Sequence, residues 1–72
     1  MNLLHYIKQN YSKFTDREKL IADYLLVENS EIIDMSAKEI AEETNTSAPT
    51  VVRFAKKLGF SSLNEMKIKA IY

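Results

Sequence analysis

The sequence predicts an all-α protein, a compact bundle of five main helices, and three observations predict it. The capping-box pattern pairs a Ser or Thr side chain with the backbone N–H three residues on and returns a Glu from there. It occurs at Thr15 with Glu18, Ser36 with Glu39, and Ser62 with Glu65. Gly and Pro, the residues that make hairpin turns, occur once each. Apolar residues recur at helical spacing rather than alternating. A chain of 72 residues makes one domain, and at that size only about 60% of the unfolded surface is buried. The core will be small.

Taken in order, the first helix is expected from about Leu3 to Tyr11, with Leu3, Leu4, Ile7 and Tyr11 as a core stripe, a dimer face being the alternative for part of it. The second runs from Asp16 to Glu28 behind the Thr15 cap, with Leu20, Ile21, Tyr24 and Leu25 inward and Arg17, Lys19 and Asp23 largely away. A short helical turn follows near Glu31 to Asp34. Ser36 then opens a helix from Ala37 to Glu43, where Met35 and Ile40 occupy the positions of a hydrophobic staple. The fourth helix spans Ala48 to Leu58, and the fifth runs from Leu63 to the end. In this last helix Leu63, Met66 and Ala70 share a face, while Ile68, Ile71 and Tyr72 point elsewhere and are left wet. The helix therefore reads as cut, and the chain as a domain fragment. No strand pair, repeat, low-complexity run or linker interrupts the pattern.

Composition removes several function classes. Without Cys there are no disulfides or thiolate metal sites, which fits a reducing compartment. The lone His5 has no His partner for a metal and no catalytic partner, so it reads as a surface histidine. Glu42 and Glu43 diverge by about 100° on a helix and form no paired-acid site. The four Tyr are not interleaved with basic residues as a single-strand stacking platform requires. No apolar run approaches the ~20 residues of a membrane span, and no export signal precedes the first helix. The expectation is a cytoplasmic, non-enzymatic protein without cofactor, metal or catalytic residues.

Charge is unevenly placed. The net charge is zero, and that balance is unusual for a domain that binds nucleic acid. Yet residues 1–43 carry five basic against nine acidic side chains, net −4, and residues 44–72 carry five basic against Glu65 alone, net +4. Such a dipole would orient the domain toward a polyanion.

Ala37, Ile40, Ala41 and Thr44 follow one helical stripe, and Val51, Phe54, Ala55 and Leu58 follow the next. Thr44, Asn45 and Thr46 join the two helices, so they must cross sharply. Asn45 tolerates the left-handed conformation that such a corner needs, and small Ala41 allows close approach. This is a helix-turn-helix over about residues 37–58, with no strands to form a wing. The outward face of its second helix is centred on Pro49, Arg53 and Lys56, with Thr50 and Lys57 on one edge and Val52 on the other. No acidic residue lies between Ser47 and Asn64. The expected interface with double-stranded DNA is Ser47, Ala48, Thr50, Val52, Arg53, Lys56 and Lys57. Ser47 caps the helix, whose remaining N-terminal N–H groups face a phosphate. Arg53 is placed to read a guanine edge, while Ala48, Thr50 and Val52 offer methyl or hydroxyl contact to bases. Lys56 and Lys57 are expected on phosphates. For Arg53 the competing structural role is a salt bridge to Glu42 or Glu43, and for Lys67 and Lys69 surface and phosphate roles stay open. Gly59 is expected to close the helix and Phe60 to fold back on the core.

The stretches "TDREKLIADYLL", "SAKEIAEETNTSAPTVVRFAKKLGF" and "SSLNEMK" cover most of residues 12–69, and over them the chain resembles the N-terminal DNA-binding domain of the RpiR family of bacterial transcriptional regulators. Its S-x-x-T-V-x-R-F-x-x-K-L-G-F run is matched by Ser47, Thr50, Val51, Arg53, Phe54, Lys57, Leu58, Gly59 and Phe60. Asn45 stands where the family commonly has Gly, and Thr46 where Val is usual. The resemblance implies a regulator of carbohydrate metabolism, expected as a homodimer, whose C-terminal sugar isomerase-like domain binds a phosphosugar effector. That domain is absent from this chain, and effector binding is expected to be absent with it. The alternative is a helical protein-interaction or dimerisation module, which the acid-free face of the fourth helix disfavours.

Overall fold

Each capping signal starts a helix at the place where it stands in the sequence. The computed structural model describes residues 3–28 and 31–71. Its helices are α1 (Leu3–Asn10), α2 (Asp16–Glu28), α3 (Ala37–Thr44), α4 (Ala48–Lys57) and α5 (Leu63–Ile71), with 3-10 turns at Tyr11–Lys13 and Glu31–Asp34. There is no strand among the described residues. The first two boxes are complete: Thr15 Oγ1 accepts from Glu18 N at 3.2 Å and Glu18 Oε1 from Thr15 N at 2.7 Å, and Ser36 and Glu39 exchange bonds of 3.1 and 3.0 Å. The third closes differently. Ser62 Oγ accepts from Glu65 N at 3.1 Å, but the Glu65 carboxylate returns to Ser61, taking its hydroxyl at 2.8 Å and its N–H at 3.4 Å.

Two helices depart from expectation, one at its end and one in its face. α1 stops at Asn10, whose side-chain amide donates to the Tyr6 carbonyl at 2.8 Å. A side chain competing for that carbonyl favours the tighter 3-10 turn through Tyr11. On α2 the inward residues are Ile21, Ala22 and Leu25, and Leu20, expected inside, is 46% exposed. The face has turned toward small Ala22, and α2 packs against both α3 and α4. Ile68 is exposed, as its position on α5 implies. The side chains of Ala70 and Ile71, and all of Tyr72, lie outside the described residues.

The core gathers around α4. Val51, Phe54 and Ala55 are fully buried and Leu58 nearly so. The Phe54 ring lies 5.1 Å from Phe14, which the chain delivers from the 3-10 turn after α1. Phe60 folds back as expected, buried with its ring edge-on to Tyr6 at 6.5 Å.

Both helices of the helix-turn-helix end by one device. After α3, Asn45 takes the left-handed conformation at φ 56°, Asn45 N donates to Glu42 O at 3.4 Å and Thr46 N to Ala41 O at 2.9 Å. After α4, Gly59 stands at φ 98°, Gly59 N donates to Lys56 O at 2.9 Å and Phe60 N to Ala55 O at 3.1 Å. These are paired Schellman closures, each satisfying carbonyls the helix leaves open. Asn45 thus does what Gly does elsewhere. Buried Thr44 is satisfied as well, its hydroxyl bonded to Ile40 O at 2.8 Å and 2.9 Å from the Thr46 hydroxyl.

A Cβ on Gly59 would meet the Tyr6 hydroxyl oxygen at 3.8 Å, an ordinary contact. The cost of Gly59→Ala is therefore conformational, about 1–2 kcal/mol for an L-residue held left-handed. Urea unfolding should show a lower midpoint with an unchanged slope.

Candidate nucleic-acid interface

α4 carries two unlike faces because its apolar residues fall at positions 51, 54, 55 and 58 and its cations do not. Opposite the buried side, Pro49, Arg53 and Lys56 are exposed, with Ala48, Thr50 and Val52 half-exposed beside them. Ser47 is the N-cap, accepting from Thr50 N at 3.3 Å, and Pro49 sits in the first turn, where the helix requires no N–H from it. Six of the seven expected contact residues, Ser47, Ala48, Thr50, Val52, Arg53 and Lys56, therefore share one accessible surface.

Arg53 forms no salt bridge to Glu42 or Glu43. Its Nη2 donates to Thr50 Oγ1 at 3.4 Å, and the cation of this helix that pairs with a carboxylate is Lys57, with Glu18. A guanidinium exposed on a helix without a carboxylate partner keeps its full charge for an outside ligand.

Lys57, the seventh, is exposed as well, and in this structure its ammonium donates to Glu18 Oε1 at 2.8 Å and to the Lys13 carbonyl at 3.1 Å. It ties the end of α4 to the start of α2. Glu18 receives this cation while it caps its own helix. Partial burial pushes the Glu18 carboxyl up, but the bonds from Lys57 and Thr15 together outweigh that and hold it below the usual carboxylate range. Glu39 is lowered too, chiefly by its backbone bond from Ser36, with Lys67 adding a smaller attraction. Sequence reasoning missed the Lys57 tether because its partners are 39 and 44 residues away and no local pattern links them.

The remaining polar groups make no second site. His5 is exposed on α1. Tyr11 donates to Asp23 at 2.8 Å, which raises its pKa, and Lys19 lies over its ring at 5.4 Å. No group of His, Asp and Glu that could hold a metal occurs among the described residues, and no helix there is long and apolar enough to cross a membrane.

The family model for the helix-turn-helix domain of the rpiR family matches residues 1–71. This chain belongs to the rpiR helix-turn-helix family. It is similar to an uncharacterized HTH-type transcriptional regulator of Thermotoga maritima, 38% identical over 69 residues and 94% of this chain, and to YfhH, an uncharacterized HTH-type transcriptional regulator of Escherichia coli, 35% identical over 68 residues and 94% of the chain. It spans about a quarter of the length of each: 25% of the first and 24% of the second. Among solved structures, the N-terminal domain of ybbH from Bacillus subtilis superposes with a TM-score of 0.90 at 28% identity, covering 96% of this chain and 84% of that one. As an rpiR-family helix-turn-helix domain the chain is a DNA-binding domain of transcriptional regulators and not an enzyme. Asn45 holds the left-handed φ that the turn of this helix-turn-helix uses.

Proposed function

We propose that the domain binds double-stranded DNA sequence-specifically, laying the outward face of α4 in the major groove. The observation that carries this is Arg53: exposed, without a carboxylate partner, on a face free of acidic residues from Ser47 to Asn64. Arg53 donates to a guanine edge. Ser47 and Lys56 hold phosphate, Ala48 and Val52 line the bases between them, and Thr50 stands beside Arg53. Lys57 serves the interface indirectly, by fixing α4 against α2.

The wider reading follows from the resemblance to rpiR regulators. The protein acts as a homodimer on pseudo-palindromic sites whose halves lie about 34 Å, one helical turn, apart or at multiples of it. A phosphosugar effector acts through a C-terminal sugar isomerase-like domain outside this chain, and the protein works in the cytoplasm, where bacterial DNA is. The curated relatives are long enough to hold such a domain.

Fluorescence anisotropy on a mixed-sequence duplex at low salt tests the binding, and its salt dependence tests the contacts. Lys56→Ala should weaken all sequences alike and reduce the salt slope by about 1. Lys57→Met should leave the slope unchanged and lower stability by up to about 1 kcal/mol, the range for a partly exposed pair. Equal slope changes for both variants would return Lys57 to the phosphate. Absence of duplex binding at micromolar protein favours the protein-interaction module instead.

A further inference from the structure

Ser47, Thr50 and Arg53 stand at successive three-residue steps along the accessible edge of α4, and their polar atoms are in contact. Ser47 Oγ and Thr50 Oγ1 are 2.7 Å apart, Thr50 N donates to Ser47 Oγ at 3.3 Å, and Arg53 Nη2 donates to Thr50 Oγ1 at 3.4 Å. Between the two hydroxyls one hydrogen lies on the short contact and one is left for an outside acceptor. A guanidinium on Thr50 Oγ1 draws charge from it and favours Thr50 as the donor to Ser47, since linked hydrogen bonds polarise one another. The free hydrogen then belongs to Ser47, at the helix end. Thr50 then has no hydroxyl hydrogen left to offer a base acceptor.

We infer that Thr50 is a positioning residue for base recognition: it sets which base pair Arg53 reads by holding one guanidinium arm, and does not itself read a base. The inference rests on the proposed reading role of Arg53. An exposed Arg loses side-chain freedom when it docks, and a contact already made in the free protein removes part of that loss. Nη2 is the tethered atom, so the rest of the fork stays open to the paired acceptors of a guanine edge. Thr suits the task by its shape as well. Its β-branch restricts χ1 and so limits where the hydroxyl can stand on a helix.

The test selects a preferred duplex from a randomised pool with the unmodified chain, then measures affinities for each single base-pair variant of it. Thr50→Val keeps the branched shape and the Ser47 cap on the residue 50 N–H but removes the hydroxyl; Thr50→Ser restores it. The expected result is that Thr50→Val loses about 2- to 10-fold of discrimination, at the same base pair that Arg53→Ala relaxes. The salt slope should be unchanged, since no phosphate contact is removed, Thr50→Ser should recover the discrimination, and Thr50→Val in the Arg53→Ala background should cost no further discrimination. Discrimination lost at a different base pair, or additively with Arg53→Ala, overturns the inference by making Thr50 a reader in its own right. Unaltered discrimination in Thr50→Val overturns it too. If Arg53→Ala leaves preference intact at every base pair, the reading role of Arg53 has failed and the inference falls with it, an outcome the Arg53→Ala measurement alone identifies.

Discussion

Phe54→Ala should leave the chain largely unfolded in plain buffer. Phe54 is fully buried at the centre of the core, 5.1 Å from the Phe14 ring and flanked on α4 by buried Val51 and Ala55. Truncating such a ring costs about 3–5 kcal/mol through lost burial and the cavity left behind. The stability of 72 residues, at roughly 0.05–0.15 kcal/mol each, is about 4–11 kcal/mol, and a small core belongs at the low end of that range. Far-UV circular dichroism during a thermal scan should show most of the helical signal lost, or a transition lowered by tens of degrees. Duplex binding should fall in step with the helical signal. A cooperative transition near that of the unmodified protein would mean that α2, α3 and α5, the helices packed on α4, close over the gap.

Arg53→Ala, one residue earlier, should do the reverse. Arg53 is exposed and its one polar contact is the long bond to Thr50. Ala is the better helix former, so the melting transition should hold or rise. Discrimination for the preferred duplex should fall by about 1–3 kcal/mol, or about 5- to 150-fold, at one base pair. Random duplex should lose less, since there only the charge is removed. Competition anisotropy with the preferred duplex and its variants measures both. Equal losses on preferred and random DNA would make Arg53 a phosphate contact.

The helices were legible because their beginnings are written locally. Thr15, Ser36, Ser47 and Ser62 each accept from an N–H three residues on, a geometry that only a few neighbouring residues decide. Val51, Phe54, Ala55 and Leu58 were legible for a related reason: helical periodicity gives them one side, and the alternative side is charged. Leu20 was not legible. Both Leu20 and Ala22 are apolar residues flanking Ile21, and size alone favours Leu for the interior, whereas the structure buries Ala22 and leaves Leu20 exposed. Lys57 was legible as a cation but not as a tether, because the sequence shows Glu18 serving its own cap and nothing marks that one carboxylate oxygen also receives a lysine from another helix. Features of this kind are set where tertiary packing chooses between two locally equal options.

The twin closures at Asn45 and Gly59 have a consequence for how such a domain can diverge. Each end of the segment between them is locked by backbone bonds at a fixed residue, and one residue inserted within α4 would turn everything after it by about 100°. Cations would then swing into the core and Phe54 out of it. Substitutions on the outward positions meet no such barrier. A lineage of these domains is therefore free to change which letters it reads and bound to keep the length of the reader, so that new operator preferences should arise by point mutation here and almost never by insertion or deletion.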